Sequence, residues 1–141
     1  MLKILFVCSG NTCRSPMAEM MLKSKLKDKK IEAEVSSAGI FANDGDAMSL
    51  FTEEALKEKN IPIDEFKSRK INDKIIKNCD YIFCMTKRQK EFLPAENVYV
   101  LGEFTKESDV SDPFGGDKET YLAVFNQLNT MCDKICELLN W

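Results

Sequence analysis

Cys8 and Arg14 are the two residues whose types and spacing most clearly indicate chemistry. They flank a run of small and polar residues within the string VCSGNTCRSP. Between a strand and a helix, such a run points backbone N–H groups and the positive end of the helix dipole inward, which creates an anion-binding nest. Gly10 and Asn11 are the residues best able to adopt the left-handed backbone that this turn requires. The segment therefore predicts a phosphate-binding loop with a thiol at its mouth.

Arg14 offers a planar fork that can hold two phosphate oxygens at once. A helix N-terminus and a neighbouring cation favour the thiolate form of a cysteine, and Ser15 can hydrogen-bond the sulfur. The chain has no histidine, which excludes Cys-His and Ser-His pairs and histidine-ligated metals. A lone Cys-x5-Arg spacing is a weak signal, because free cysteines often simply pack as small apolar residues. Its place between a strand and a helix favours a nucleophile.

Strand and helix patterns alternate along the chain and must position this loop. Apolar runs predict strands at residues 2–7, 34–37, 80–85 and 97–101. Helical spacing predicts helices after the loop, at about 49–59, at 72–77 and at about 118–139. The pattern predicts a single-domain α/β fold, an open parallel four-stranded sheet with helices on both faces. Ligands of such sheets bind beyond the carboxyl ends of the strands, where Cys8 follows the first strand.

Composition narrows the class of protein further. The 141 residues fit one domain over positions 1–141, and the net charge of −3 argues against nucleic-acid and membrane-surface binding. No apolar run is long enough to cross a bilayer or to form the core of a signal peptide, so we expect a cytoplasmic protein. The six cysteines contain no Cys-x-x-Cys pair, so we expect no metal.

The sequence resembles the low-molecular-weight protein-tyrosine phosphatases, whose loop reads C-x-G-N-x-C-R-S-P near the N-terminus. Residues 8–16 match this motif completely, and Met17, Ala18 and Glu19 continue it. DYIFCM at 80–85, DPFG at 112–115, the chain length and the element order also agree. The resemblance implies the flavodoxin-like phosphotyrosine-phosphatase I fold, phosphorylated protein substrates and no cofactor. We also expect a monomer.

The resemblance implies a double displacement. The Cys8 thiolate attacks phosphorus and forms a phosphocysteine while Asp112 protonates the leaving group, and Asp112 then activates the hydrolytic water. Arg14 and the loop hold the phosphate oxygens, the loop comprising Ser9, Gly10, Asn11, Thr12, Cys13 and Ser15. Without the resemblance the Asp-Pro dipeptide is only a turn signal, and Asp109 and Asp117 remain open as the acid.

Supporting roles follow from the same resemblance. Asn11 is expected to brace the loop, Ser15 to assist the thiolate, and Ser37 to act as a second bracing serine. The family pattern also suggests a Cys8–Cys13 disulfide that protects against over-oxidation, although Cys13 can equally pack under the loop.

One departure from the family is visible. Some members have a histidine before a Lys-x-Arg segment, whereas Phe66 precedes residues 67–69 here, so that part of the bracing is expected to be absent or replaced. Core packing is the expected role of the four cysteines outside the loop, which are Cys79, Cys84, Cys132 and Cys136.

Two alternative functions use the same kind of loop. Thiol-dependent arsenate reductases relay oxidation through two further cysteines on a mobile segment. Cys79 and Cys84 lie in a strand-like context, where this spacing should place them on opposite faces, which disfavours a relay. A non-hydrolytic cysteine phosphocarrier needs no general acid, so Arg14 and the Asp112 loop argue against it.

Thr12 is the residue of the loop that indicates which phosphorylated side chain is the substrate. Within the family, members that dephosphorylate phosphoarginine have threonine at this position, where tyrosine phosphatases commonly have a bulkier aliphatic residue. Their strings GNTCRSPMAE and DPFGG both occur, at 10–19 and 112–116. A hydroxyl-bearing Thr12 leaves room and a polar contact for a guanidino group, and Phe41 and Phe114 are candidate walls. The resemblance thus favours phosphoarginine over phosphotyrosine.

Overall fold

Four parallel strands form the centre of the molecule, and the computed structural model describes all 141 residues. The strands are β1 (Leu2–Cys8), β2 (Ala33–Gly39), β3 (Tyr81–Cys84) and β4 (Val98–Val100). Their order across the sheet is β2-β1-β3-β4, so β1 has a neighbour on each side. The predicted open parallel sheet of four strands is confirmed.

Helices cover both faces of this sheet, as predicted. They are α1 (Arg14–Asp28), α2 (Leu50–Glu58), α3 (Asp73–Lys77), α4 (Lys87–Lys90), α5 (Leu101–Thr105) and α6 (Lys118–Leu138). The larger apolar cluster unites one face of the sheet with α1, α2 and α6. The smaller cluster lies on the opposite face, against α3.

The composition of β1 explains its central place. Ile4 and Phe6 point into the larger cluster, Leu5 and Val7 into the smaller one, and all four are fully buried. A strand that is apolar on both faces is stable only between two layers of helices. The chain therefore leaves β1 at the carboxyl edge of the sheet, with Cys8 as its last residue.

Three sequence-based expectations were wrong in detail. Leu101 begins α5 instead of ending the fourth strand, and α4 and α5 were not predicted because their four and five residues are too short for a helical period to register. The expectation that Cys79 and Cys84 face opposite sides also fails. Cys79 precedes β3, outside its alternation, and both thiols pack with the smaller cluster.

Candidate active site

The loop between β1 and α1 is built against the end of β2. Cys8 pairs with Gly39 in the sheet register, and its carbonyl accepts a hydrogen bond from Ile40 N at 3.0 Å. Asn11 adopts the left-handed backbone with φ 55°, as anticipated. Gly10 does not, and a Cβ placed there would meet only Thr12 Oγ1, at 3.6 Å. The glycine thus keeps one side of the loop open.

The Cys8 thiol is held from two directions. Cys8 Sγ lies 2.9 Å from Ser15 Oγ, within hydrogen-bond distance, and Asn11 N donates to the sulfur at 3.3 Å. The other backbone N–H groups from Ser9 to Ser15 donate no hydrogen bond within the chain. A loop with this many free donors at a helix N-terminus has the form of an anion nest.

A line of buried polar side chains braces the loop behind the thiol. Asn11 Nδ2 donates to Ser15 Oγ at 2.8 Å and to Ser37 Oγ at 2.9 Å. Ser37 in turn donates to Glu19 Oε1 at 2.6 Å, and Glu19 is paired with Lys23 at 2.7 Å. The network leads from the sulfur to a buried carboxylate whose charge is compensated, so no charge is left unpaired.

The segment that departs from the family pattern still braces the loop. Ser68 Oγ donates to the carbonyl of Asn11 at 2.6 Å, and Arg69 N donates to Asn11 Oδ1 at 3.0 Å. Arg69 Nε also donates to the carbonyl of Ser37 at 3.0 Å. Phe66 itself is half-buried against the larger apolar cluster. The loop is thus braced by the Ser68 side chain and the Arg69 backbone amide, and the Arg69 side chain binds the neighbouring β2. Phe66, which precedes this segment, contributes apolar packing.

Arg14 is buried, with 4% of its surface exposed, and its guanidinium is fixed by Val110. Arg14 Nη1 donates to the Val110 carbonyl at 2.9 Å, while Nη2 lies 3.7 Å from Asp112 Oδ2. The Asp112 side chain is 55% exposed, and its carboxylate also accepts a hydrogen bond from Phe114 N at 3.1 Å. The loop before α6 therefore brings a carboxylate to the guanidinium.

A cavity of about 240 Å³ collects these groups. Asp112 and Phe114 line it together with the loop residues Cys8, Ser9, Gly10, Thr12, Cys13 and Arg14. Phe41, the other candidate wall, lines an adjoining cavity instead. Asp109 also lines that adjoining cavity, and Asp117 caps α6. Of the three candidate acids, only Asp112 lies in the cavity with the thiol.

Cys13 packs under the loop and touches α6. Its Sγ lies 3.4 Å from the Tyr121 hydroxyl, and the Tyr121 ring packs against Phe51 in a tilted arrangement at a centroid distance of 5.3 Å. Burial, with the hydrogen bond to Cys13 as the next cause, raises the pKa of Tyr121. The second thiol of the loop is thus tied to a neutral phenol.

The remaining cysteines have the character of core residues. Burial raises the pKa of Cys84 to about 12 and also raises the pKa of the fully buried Cys132. Burial likewise raises the pKa of Cys79 and of Cys136, which are half-buried. No cluster of three or more potential metal ligands occurs in the structure, and none of its helices is long and apolar enough to span a membrane.

Several residues of the site escaped sequence reasoning. Gln89 Oε1 accepts from Met85 N at 2.8 Å, and Gln89 Nε2 donates to Ser9 Oγ at 3.2 Å, which ties α4 to the loop. Glu19 and Tyr121 were also not assigned a role. Of these residues, only Glu19 could have been identified from the sequence, because an acidic residue on the apolar face of a helix indicates a buried charge that needs a partner.

Comparison with known proteins finds one family over nearly the whole chain. The family model described as "Low molecular weight phosphotyrosine protein phosphatase" matches residues 3–140. A protein-arginine-phosphatase of Geobacillus stearothermophilus is 35% identical over 145 residues, which cover 97% of this chain and 95% of the relative. The low molecular weight protein-tyrosine-phosphatase PtpB of Staphylococcus haemolyticus is 37% identical over 140 residues, covering 95% and 97%.

The fold is shared as well. A structure of the YwlE arginine phosphatase, in a mutant with a phosphorylated active-site serine, superposes with a TM-score of 0.92 at 30% identity. The superposition covers 96% of this chain and 94% of that one. In that relative, therefore, an active-site side chain can carry the phosphoryl group.

Proposed function

Because this chain belongs to the low molecular weight phosphotyrosine protein phosphatase family, we propose that it hydrolyses phosphoarginine residues of proteins through a phosphocysteine at Cys8. One observation carries the proposal. Cys8 Sγ lies within hydrogen-bond distance of Ser15 Oγ and accepts a hydrogen bond from Asn11 N, in a cavity that also holds Arg14 and Asp112. Nucleophile, phosphate ligand and proton donor thus meet in one small space.

The first step transfers the phosphoryl group to sulfur. The Cys8 thiolate forms the S–P bond while the P–N bond of phosphoarginine breaks, and the departing nitrogen takes its proton from Asp112. Arg14 and the free N–H groups of the loop hold the phosphoryl oxygens, whose charge they stabilise throughout the transfer. The arginine side chain therefore leaves with the proton that Asp112 supplied, and the phosphoryl group stays on the Cys8 sulfur.

The second step restores the enzyme. Water forms the new O–P bond as its proton passes to the Asp112 carboxylate, and the S–P bond breaks with its electron pair returning to Cys8. Ser15 and the amide of Asn11, which already contact the sulfur, stabilise the thiolate as it leaves. Phosphate is released, and no oxidant or reductant is consumed.

Three features support phosphoarginine as the substrate. Thr12 lines the cavity beside Cys8, where its hydroxyl can accept a hydrogen bond from a guanidino group. The Geobacillus relative, similar over nearly the full length of both chains, is named for this activity. Departure of a strongly basic guanidino nitrogen also requires an acid, and Asp112 supplies one in the same cavity.

Phosphotyrosine is the second candidate. Phe114 lines the cavity, is 81% exposed and offers a face for a phenyl ring, and the Staphylococcus relative is named as a tyrosine phosphatase. Small aryl phosphates should be hydrolysed under either assignment.

The two other reactions considered find less support. A reductase relay needs further accessible thiolates, but the pKa of Cys84 is raised to about 12 by burial and Cys132 is fully buried. A phosphocarrier would have no use for an acid, yet Asp112 lies 3.7 Å from Arg14 at the cavity. Turnover without any electron donor would exclude the reductase.

Three further properties belong to this proposal. Cys13 lines the same cavity as Cys8, which suits a resolving thiol that forms a protective disulfide. A thiolate nucleophile must stay reduced, so the protein acts in the cytoplasm. It acts as a monomer, which is supported by the fact that one chain supplies every group of the cavity.

The test is turnover of matched phosphoarginine and phosphotyrosine peptides by the wild type and by Cys8→Ser. We expect the wild type to prefer phosphoarginine and the variant to hydrolyse neither, while it still binds inorganic phosphate through Arg14 and the loop. A preference for phosphotyrosine would transfer the assignment to the second candidate. Hydrolysis by Cys8→Ser would remove Cys8 from the mechanism.

A further inference from the structure

We propose that the adjoining cavity is a subsite for the substrate polypeptide, where it selects a large apolar residue next to the phosphorylated one. The inference rests on the proposed function, since it concerns the same substrate. This cavity has a volume of about 610 Å³ and shares Ser9, Arg14 and Asp112 with the cavity of Cys8. A protein whose phosphorylated side chain reaches Cys8 must therefore place neighbouring residues on or near this shared rim.

An exposed pair of aromatic rings gives the subsite its character. Phe41 and Phe92 meet edge to face at a centroid distance of 5.4 Å, yet they remain 63% and 52% exposed. Ile40 and Val110 line the same cavity. Single exposed apolar side chains are common, but a contiguous apolar group in a concave surface beside a reactive centre is typical of a binding site.

Both rings are attached to the phosphate-binding loop at one residue. Phe41 N donates to the carbonyl of Ser9 at 2.8 Å. Phe92 N donates to the carbonyl of Gln89 at 3.1 Å, and Gln89 Nε2 donates to Ser9 Oγ at 3.2 Å. The backbone positions that carry both rings are thereby fixed relative to Cys8 before substrate arrives, which lowers the entropic cost of binding.

The net charge of the residues that line this cavity does not favour a charged side chain of the substrate. Two guanidinium groups, Arg14 and Arg88, and two carboxylates, Asp109 and Asp112, line the cavity, so the formal charges cancel. Arg88 makes no ion pair, and its N–H groups are free to bind a peptide carbonyl. The subsite therefore combines an apolar surface for one side chain with a donor for the backbone.

The test is a panel of phosphopeptides that differ only in the residues directly before and after the phosphorylated one, with leucine, alanine or serine at each place. The panel is made with phosphoarginine and repeated with phosphotyrosine. For one of the two flanking positions we expect kcat/KM to be about 5- to 20-fold higher with leucine than with alanine or serine, from the apolar area buried. Equal values at both positions would overturn the subsite.

Two single variants test whether the phenylalanine rings cause the preference for leucine. In Phe92→Ser, and separately in Phe41→Ser, the leucine-to-alanine ratio should fall towards one, and this internal ratio is independent of any general loss of activity. Leu138→Ser is the matched control, because Leu138 is 56% exposed at the end of α6 and lines neither cavity. A ratio that survives both phenylalanine changes would place the preference elsewhere. Failure to hydrolyse any peptide would instead contradict the proposed function.

Discussion

Cys8, Arg14 and Asp112 reach one cavity from three kinds of structure. Cys8 ends a strand, Arg14 begins a helix, and Asp112 lies in the loop before α6. The first two are buried and fixed, whereas the Asp112 side chain is 55% exposed and contacts Arg14 at 3.7 Å. A proton donor on an exposed loop can follow the leaving group, while the phosphate ligands have to stay in place.

Asp112→Asn should slow substrates in proportion to the basicity of the leaving group. The amide cannot donate the carboxylic proton, so phosphoarginine and phosphotyrosine peptides should lose about 10²- to 10⁴-fold in kcat/KM, and an activated nitrophenyl ester much less. The measurement is kcat/KM over a series of leaving groups, because kcat/KM reports the step in which the leaving group departs and not the hydrolysis of the phosphocysteine that all substrates share. Asp109→Asn is the matched control and should not change the slope. An equal loss on all substrates would make Asp112 a structural turn residue.

Thr12→Ile should change substrate preference without removing phosphate binding. One lost hydrogen bond and a larger aliphatic wall are worth about 5- to 150-fold in relative kcat/KM against phosphoarginine. The ratio of kcat/KM for the two phosphopeptides is measured in parent and variant, with Thr12→Ser as a control that keeps the hydroxyl. If Thr12→Ile leaves the ratio unchanged, Thr12 does not determine specificity.

At the scale of elements, the carboxyl end of β2 and the segment after α2 shape the loop from outside. A Cβ on Gly39 would lie 2.8 Å from Asn11 N and from Ser9 O, a distance that real Cβ contacts do not reach. Arg69 and Ser68 bind Asn11 from the other segment. The nest is therefore an assembly of three chain segments, although its motif is continuous in sequence.

Gly39→Ala should consequently impair phosphate binding. Its methyl group must displace loop backbone, and we expect a loss of about 10-fold or more in kcat/KM and a weaker affinity for inorganic phosphate, by analogy with other misplacements of a reacting group. Ser36→Ala on the same strand adds no atom near the loop and serves as control. Full activity of Gly39→Ala would show that the loop tolerates displacement.

The sequence predicted these elements unevenly, for physical reasons. The first strand and α6 are long enough for their apolar pattern to define them, and the loop motif is local. The short α4 depends on a capping box between Thr86 and Gln89, and the contact of Gln89 with Ser9 joins residues 80 positions apart. Asp112 could be selected over its neighbours only through the family resemblance, since its partner Arg14 is even more remote in sequence.

At the scale of the whole molecule, the reactive thiols lie at the carboxyl edge of the sheet and the inert ones lie within the layers that cover its two faces. Cys8 and Cys13 line the cavity, whereas Cys84 and Cys132 lie fully buried in the two apolar clusters. Burial raises the pKa of both core thiols, so at neutral pH they are protonated and only the approach to pH 12 would ionise Cys84. The fold thus directs thiol chemistry to one edge of the sheet.

Iodoacetate at pH 7 should therefore inactivate the native protein by carboxymethylating Cys8 first. The reagent is an anion that fits the nest, and inorganic phosphate should protect the thiol by competing for it. Peptide mapping by mass spectrometry gives the site, and the unfolded protein, in which all six cysteines react, is the control. Modification that begins at Cys79 or Cys136 would contradict this assignment of reactivity.

The most direct test of the phosphocysteine mechanism is to trap the phosphorylated enzyme. A phosphoarginine peptide is mixed with excess wild-type protein, the reaction is quenched within one turnover, and the digest is searched for a peptide heavier by one phosphoryl group. We predict that the group lies on Cys8, and that Cys8→Ala gives no such peptide and no turnover. A phosphoryl group on any other residue, or turnover by Cys8→Ala, would contradict this mechanism.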